Sequence, residues 1–225
     1  SENSKSFKWF ILGTATFVTM LYAMAVTIAA IALPDMRGAM AVTQDQITWA
    51  ITGNIVATAI FTPLAGWLAT RYEVRNILLF SVIGFMLSTF VCGISDNLEE
   101  IVIARFAQGA FGAPLPPLCQ TLVLWVFPTK QRAMAMAVWG MGTILGPIIA
   151  PTLGGYLGEI LNWRWIFYTL LPFCIIALLM VIATVPIQKS KTKEPLDWIG
   201  FIFLAIAVAS LQIMLDRGER NGWFD

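Results

Sequence analysis

Charge and histidine are what this sequence has least of, and each scarcity excludes a class of function. Only 12% of its 225 residues are charged, against about 25% in a typical soluble domain. There is no histidine, which argues against a zinc or haem site, so we expect no metal and no cofactor. The net charge of +1 gives no basic surface for nucleic acid. We find no nucleophile and base in an arrangement that indicates an enzyme.

Cysteine is also scarce, and its three copies give no sign of redox or metal chemistry. Cys92, Cys119 and Cys174 lie in apolar runs without a Cys-x-x-Cys spacing. An odd number of cysteines in apolar sequence is typical of small buried residues. We therefore expect all three to be free thiols in the core.

Apolar residues make up 58% of the chain and form runs long enough to cross a bilayer. A membrane-spanning helix needs about 20 apolar residues. Seven such stretches, called spans 1 to 7, cover residues 9–34, 47–70, 76–95, 101–127, 133–158, 165–186 and 198–215. The sequence therefore predicts an all-α membrane protein of seven helices with short connections.

The basic residues between the spans predict a cytoplasmic N-terminus, because cytoplasmic loops are enriched in lysine and arginine. In that orientation the inner side carries Lys5, Lys8, Arg71, Arg75, Lys130, Arg132, Lys189, Lys191 and Lys193. The outer side carries only Arg37, Arg164, Arg217 and Arg220. The polar connector 189–196 then separates a six-span bundle, 1–188, from a seventh span with a polar tail, 197–225.

A short internal repeat supports this division. The segment Pro63-Leu-Ala-Gly-Trp-Leu68 resembles Pro151-Thr-Leu-Gly-Gly-Tyr-Leu157, and the two lie on opposite sides of the membrane in the predicted orientation. Spans 1–3 and 4–6 would then be inverted repeats, a common construction in transporters. The alternative is a chance similarity between two glycine-rich helix ends.

Span 4 carries an arginine inside an apolar run, together with small and polar residues on one helix face. A guanidinium in hydrocarbon costs about 2.5–3.5 kcal/mol on insertion scales. At helical spacing the face contains Arg105, Gln108, Gly109, Gly112, Pro116 and Gln120. We expect this face to point into a polar bundle interior; the alternative is that Arg105 extends its guanidinium to the outer interface.

Span 5 has a small residue at every fourth position, and spans 1 and 2 have polar lines. Small residues at this spacing allow close helix packing, and the seam contains Gly142, Gly146, Ala150, Gly154 and Gly158. Prolines within the same span predict a bend. Polar residues that could line a substrate cavity are Tyr22, Thr27, Asn54, Thr58, Gln108 and Gln120. The alternative for each threonine is a hydrogen bond to its own backbone.

These motifs resemble those of the major facilitator superfamily, in particular the fourteen-span drug:proton antiporters similar to EmrB and QacA. The antiporter motif of that family looks like span 5, through Gly140, Gly142, Gly146, Pro147, Pro151, Gly154 and Gly155. The family pattern Arg-x-x-Gln-Gly-x-x-Gly is matched by Arg105, Gln108, Gly109 and Gly112, and its loop pattern after span 2 by Gly66, Leu68, Ala69 and Arg71. The resemblance implies a conformational role for the loop motif and proton transfer for the arginine.

The chain departs from the family pattern at residues that bear on proton coupling. Ala25 occupies the position at which the family usually carries a proton-binding Asp, and Glu73 and Val74 follow Arg71 where Gly and a basic residue are usual. Leu170 replaces a common Asn. As a substitute for the missing carboxylate, we hypothesise that Asp35 pairs with Arg105 across spans 1 and 4 and takes part in proton coupling.

The resemblance implies a secondary transporter in the bacterial cytoplasmic (inner) membrane that exports hydrophobic or amphipathic drugs in exchange for protons. Family members have fourteen spans, so we expect this chain to be the N-terminal half of a longer transporter, without its C-terminal bundle. Expected partners are a drug-like small molecule, protons and the lipid bilayer, and the resemblance adds a periplasmic adaptor protein. The alternative is an uncoupled or non-transporting membrane scaffold or sensor derived from a transporter half.

Overall fold

The computed structural model describes residues 2–187 and 195–218. In these ranges it contains ten helices, numbered in chain order: α1 Glu2–Met40, α2 Gln44–Ile47, α3 Trp49–Phe61, α4 Leu64–Arg71, α5 Val74–Ile94, α6 Leu98–Gly112, α7 Leu115–Val126, α8 Thr129–Ile160, α9 Trp163–Thr184 and α10 Trp198–Gly218. Most of the predicted connector 189–196, with Lys189, Lys191 and Lys193, lies outside the described residues. So does the tail beyond Gly218, with Arg220.

These helices form the seven predicted spans. Six are long and apolar enough to cross a membrane, and the seventh is the pair Gln44–Phe61 and Leu64–Arg71, which are bent by 46°. Span 1 is α1, span 2 comprises α2 to α4, span 3 is α5, span 4 comprises α6 and α7, and spans 5, 6 and 7 are α8, α9 and α10. The prediction of an all-helical membrane protein is confirmed.

Two spans are interrupted at prolines, whereas others contain proline without a break. Proline lacks an N–H and clashes with the preceding turn, so it is best tolerated where a helix begins. Accordingly α4 begins directly after Pro63 and α7 directly after Pro114. In contrast, α1 continues through Pro34, and α8 continues through Pro147 and Pro151. The break at Pro114 divides the predicted face of span 4.

The contacts between spans follow an inverted repeat. The most extensive pairs are span 1 with span 5 and span 2 with span 4, and spans 3 and 6 also pack closely together. Exchanging spans 1, 2 and 3 with spans 4, 5 and 6 converts the first two pairs into each other and leaves the third unchanged. The six-span bundle therefore consists of two three-helix units of opposite orientation.

The core of this bundle is apolar, and span 7 lies outside it. Cys92, Cys119 and Cys174 are buried free thiols, as predicted. Helix α10 packs against α3, and none of the residues in its apolar window is buried. The fold is thus a six-helix bundle with a seventh helix on its outside.

Candidate functional site: a buried arginine network

Arg105 lies in the interior of the bundle. Its side chain is 1% exposed and is the largest of the fully buried side chains. Its Nε donates to the carbonyl oxygen of Ala50 on α3 at 3.4 Å, and its Nη1 donates to Oε1 of Gln108 one turn further along α6. The guanidinium therefore stays inside the bundle, and extension to the outer interface is wrong.

Gln108 connects this arginine to span 3. Its side chain is 1% exposed, and its Nε2 donates to Oγ1 of Thr89 on α5 at 2.7 Å. Thr89 in turn donates to the carbonyl oxygen of Phe85 at 2.7 Å. The amide thus uses its oxygen for the arginine and its nitrogen for the threonine, so both ends of Gln108 are satisfied by hydrogen bonds.

Spans 2 and 1 join the same network through Asn54 and Tyr22. Asn54 Nδ2 donates to the carbonyl oxygen of Arg105 at 2.9 Å. Thr58, one turn further along α3, donates to the carbonyl oxygen of Asn54 at 2.9 Å, and its Oγ1 lies 2.9 Å from the hydroxyl of Tyr22 on α1. One continuous set of hydrogen bonds therefore links spans 1, 2, 3 and 4.

Two glycines of the predicted face make this arrangement sterically feasible. A Cβ at Gly109 would overlap the carbonyl oxygen of Asn54, and a Cβ at Gly112 would overlap the ring of Tyr22. Any larger residue would separate α6 from α3 or displace the tyrosine. The glycines of span 4 are therefore required for contact between the spans that carry the network.

The guanidinium of Arg105 is hydrogen-bonded in this bundle to oxygen atoms that carry no formal charge. The buried polar side chains of the described residues include one arginine and no Asp or Glu. Buried charges are normally paired because an unpaired charge is costly in a medium of low dielectric constant. Here a backbone carbonyl and an amide oxygen are the acceptors of the guanidinium.

The hypothesised pair between Asp35 and Arg105 is not formed. Asp35 is exposed near the end of α1, whereas Arg105 is buried, and no ion pair within 4.0 Å joins them among the described residues. The Asp35 carboxylate instead lies beside α8, with Oδ2 3.3 Å from where a Cβ of Gly158 would stand. The prediction failed because nearness to the same membrane face does not place two side chains on facing helix surfaces.

The glycine seam of span 5 packs along span 1, as predicted for a packing seam. A Cβ at Gly142 would overlap Thr16, and one at Gly146 would overlap the carbonyl oxygen of Met20. A Cβ at Gly154 would stand 3.1 Å from Ile28. Gly155 has no neighbouring atom within 4 Å of that position, so it lies off the contact. The seam thus follows α1 through four successive turns.

The loop motif after span 2 lies at the end of α4. The guanidinium of Arg71 lies over the ring of Trp67, 5.4 Å from its centroid, and Trp67 makes an edge contact with Tyr72. Gly66 is exposed, and a Cβ there would meet no atom within 4 Å. The structure therefore gives Gly66 no packing role within the described residues.

The remaining predicted cavity residues do not join the network. Thr27 donates to the carbonyl oxygen of Ala23 on its own helix at 3.1 Å, which was the alternative considered for it. Gln120 is exposed on α7, beyond the break at Pro114. Whether the other cavity residues contact a substrate stays a prediction.

Sequence reasoning missed Thr89 and the carbonyl of Ala50. A signal for the threonine exists, because Ser81, Ser88, Thr89 and Cys92 recur at helical spacing on one face of α5 and all are buried. The carbonyl of Ala50 could not be identified from residue types, because every residue carries one.

A cavity of about 640 Å³ lies at the two helix breaks, between α3–α4, α5 and α6–α7. Ligand sites are typically about 300–1,000 Å³ and are mainly apolar. The lining residues are Phe61, Leu64, Leu68, Tyr72, Asn76, Ile77, Phe80, Ser81, Ala110, Phe111 and Pro114. The cavity thus has aromatic and aliphatic walls, with a few polar side chains.

Comparison with known proteins identifies relatives of this chain. The model of the Major Facilitator Superfamily matches residues 15–218. The chain is 39% identical to multidrug export protein EmrB of Escherichia coli (strain K12), over 95% of this chain and 41% of the relative. It is 34% identical to fatty acid resistance protein FarB of Neisseria gonorrhoeae, over 95% of this chain and 42% of the relative. The chain therefore spans about two fifths of the length of these relatives.

Two solved structures share the fold. A bacterial homolog of the human lysosomal transporter Spinster aligns with a TM-score of 0.71 at 18% identity, over 84% of this chain and 45% of the other. The peptide transporter POT in complex with sulfate aligns with a TM-score of 0.73 at 16% identity, over 96% of this chain and 47% of the other. Both are transporters whose length is about twice that of the matched region.

Proposed function

The chain belongs to the Major Facilitator Superfamily, and from this premise we propose that it exports hydrophobic or amphipathic drugs across the bacterial cytoplasmic membrane in exchange for protons. It is an integral membrane protein of a transporter family, with relatives named as multidrug exporters. The observation that carries the proposal is the buried Arg105 network, because a charged side chain is retained inside a membrane bundle mainly for function.

Proton coupling is proposed to act through Arg105. A proton or a charged group that enters the bundle changes the electrostatic environment of the guanidinium, whose acceptors are an amide oxygen and a carbonyl oxygen. Reorientation of Gln108 would carry such a change to Thr89 on α5. Asp35 is retained as a second proton-coupling candidate, acting separately because it makes no bond to Arg105.

Hydrophobic and amphipathic substrates are proposed on the character of the cavity between α3–α4, α5 and α6–α7. Its walls include the rings of Phe61, Phe80 and Phe111, and the surface that lines it is almost entirely apolar. Such a surface accepts the apolar part of a hydrophobic or amphipathic molecule. The relative EmrB is named as a multidrug export protein, which supports drugs as the exported molecules.

The seam of α8 is proposed to control movement and leakage at the contact with α1. Gly146 brings α8 into direct contact with backbone atoms of Met20 and Met24 on α1. A tightly packed crossing can move as a unit while limiting proton flow along it. We assign the antiporter motif of span 5 this sealing role.

The orientation and partners are also proposals. A cytoplasmic N-terminus is supported by Lys8, Arg71, Lys130 and Arg132, which lie at helix ends on one side of the bundle; cytoplasmic ends favour basic residues. A periplasmic adaptor protein is proposed on the family resemblance, and co-purification with the intact transporter tests it.

The decisive experiment measures proton movement in everted membrane vesicles that contain the intact transporter. A panel of lipophilic cations and weak acids is added to a preformed pH gradient, and collapse of the gradient reports exchange. We expect collapse with the wild type, none with Arg105→Ala, and a reduced rate with Arg105→Lys, which keeps the charge but loses the planar fork. Arg37→Gln, at an exposed arginine, is the matched control and should behave as wild type.

Two results would refute the proposal. Drug-dependent collapse that is equal in Arg105→Ala and wild type would remove the network from proton coupling. No collapse across the panel, with inserted and folded wild-type protein, would refute proton-coupled drug export. Because Arg105→Lys preserves a buried cation, its activity separates a coupling defect from a failure to fold.

A further inference from the structure

Spans 3 and 6 are joined at both ends by arginines that point in opposite directions. Arg164, the second residue of α9, donates from Nη1 to the carbonyl oxygen of Gly93 in the last turn of α5 at 2.9 Å. Arg75, the second residue of α5, donates from Nη2 to the carbonyl oxygen of Ile182 in the last turn of α9 at 2.8 Å. Each helix thus begins with a donor for the end of the other.

Both acceptor carbonyls need such a donor. The last four carbonyls of a helix have no partner within it. The residue four positions after Ile182, whose N–H would bond to the Ile182 carbonyl in a longer helix, is Pro186, which has no N–H. Gly93 lies at a helix end after which the backbone is extended, at Ser95. A cation at this position also interacts favourably with the negative end of the helix dipole.

The two contacts are copies of one another under the inverted repeat. Arg75 and Arg164 are 89 residues apart, and Pro63 and Pro151 of the sequence repeat are 88 residues apart. Arg75 on span 3 therefore corresponds to Arg164 on span 6, and their acceptors Ile182 and Gly93 also correspond, 89 residues apart. This equivalence is independent of the short sequence match that predicted the repeat.

Polar bonds matter at this interface because apolar packing alone drives helix association weakly in lipid. The hydrogen bonds between α5 and α9 that the described residues form all lie at these two ends: Arg75 at one, and Arg164 with Tyr168 at the other. The intervening contact includes buried apolar side chains such as Phe167 and Cys174. The two ends therefore determine how α5 sits against α9.

The outer contact is the more extensive of the two. Arg164 also forms an ion pair with Asp96 at 2.8 Å, and its guanidinium lies 4.7 Å from the ring centroid of Trp163. The hydroxyl of Tyr168 donates to the same Gly93 carbonyl at 3.0 Å. At the inner end Arg75 has the Ile182 carbonyl as its acceptor, and its Nε is buried without a partner.

We propose that Arg75 and Arg164 are positioning residues that clamp spans 3 and 6 together, one at each membrane face. The clamps keep α5 in the position in which Thr89 reaches Gln108, so they act on the arginine network without touching it. The link to transport rests on the proposed function; the clamp itself does not.

Two buried thiols at equivalent positions of the repeat, one at the end of α5 and one at the end of α9, test the clamps. Cys92 directly precedes Gly93, and a Val181→Cys substitution places a thiol directly before Ile182; both positions are 0% exposed. Cys119, 1% exposed on α7, is the internal reference. The rate of alkylation by N-ethylmaleimide is measured for each thiol by mass spectrometry in the intact transporter in membranes.

We expect each clamp variant to open one end only. Arg164→Gln should raise the alkylation rate at Cys92 about tenfold, the factor expected for loss of a charge-assisted hydrogen bond, with Cys119 and Val181→Cys unchanged. Arg75→Gln should raise the alkylation rate of the cysteine introduced by Val181→Cys by the same factor, and the alkylation rate of Cys92 should not change. Lysine at either position should restore part of the protection. An unchanged rate, or an equal rise at all three thiols, overturns the clamp.

A transport measurement tests the positioning role separately. Because the clamps act on the network rather than on the drug, both glutamine variants should lower the maximal rate of drug-dependent proton exchange and leave KM unchanged. Altered thiol rates with an unchanged maximal rate would overturn the positioning role. Thiol rates need no substrate, so their failure is distinct from failure of drug:proton exchange itself.

Discussion

Addition of one methyl group at Gly146 tests the crossing of α8 over α1. In the structure a Cβ at this position would overlap the carbonyl oxygen of Met20 and stand 3.1 Å from the amide nitrogen of Met24. Both atoms belong to the backbone of α1, so no side-chain rotation can relieve the overlap. The Gly146→Ala variant must therefore separate the two helices.

The magnitude follows from two opposing terms. Overpacking of an interior costs about 1–3 kcal/mol, whereas replacing glycine by alanine inside a helix gains about 0.8–1.0 kcal/mol. The matched control is Gly140→Ala, in the same helix, because a Cβ there meets no atom within 4 Å. The propensity gain is common to both variants, so their difference isolates the packing cost of about 1–3 kcal/mol.

Thermal unfolding of the purified intact transporter measures this difference. A thiol-reactive fluorophore reports unfolding as the buried Cys92, Cys119 and Cys174 become exposed. The relatives are more than twice as long as this chain, and the unfolding entropy grows with chain length, so a cost of 1 kcal/mol shifts Tm by about 1 °C in the intact transporter. Gly146→Ala should therefore melt about 1–3 °C below Gly140→Ala. If the two variants melt together, the backbone contact between α8 and α1 is wrong.

Three further substitutions test the arginine network. Gln108→Leu removes the side-chain acceptor of Arg105 and should lower the stability by about 1.5–3 kcal/mol, measured by the same thermal unfolding, because hydrogen bonds to charged groups contribute that much. Thr89→Val keeps the shape and removes one neutral bond, so it should cost about 1 kcal/mol; the reverse order of the two would contradict the network. Asp35→Asn and Arg105→Lys, which keeps a reduced rate, should have independent effects on proton flux, with a coupling energy below about 0.5 kcal/mol in the double variant. A larger value would show that the two side chains meet during transport.

The residues of span 4 show how far helical spacing can be trusted. Arg105, Gln108, Gly109 and Gly112 share a buried face as predicted, because α6 is one regular helix. Helical spacing predicts Pro116 and Gln120 on the same face, but Gln120 is exposed on α7, the helix that begins after Pro114. Prolines inside α1 and α8 leave those helices unbroken, so proline alone does not locate a break.

The partners of Arg105 were harder to predict than its burial. Burial follows from the cost of exposing a guanidinium to hydrocarbon together with the small residues around it. Its acceptors depend on which helices face α6, and this is set by packing over the whole bundle. The sequence favours Asp35 because it is a carboxylate near the same membrane face, whereas the acceptors in the structure are the backbone of Ala50 and the amide of Gln108.

The inverted repeat gives the bundle two equivalent helix crossings, and only one of them carries the arginine network among the described residues. Asn54 and Thr58 on α3 are each 88 residues before Gly142 and Gly146 on α8, and each pair lies against the facing helix. On α3 these positions donate hydrogen bonds to the carbonyl oxygens of α6; on α8 the glycines let α1 approach. The same helix crossing therefore occurs twice. At one crossing, polar side chains of α3 bind the segment of α6 that carries Arg105. At the other, glycines of α8 allow α1 to approach closely. Because symmetry places both contacts but residue type decides what each does, the division of roles between α3 and α8 is a property of these four residues rather than of the fold.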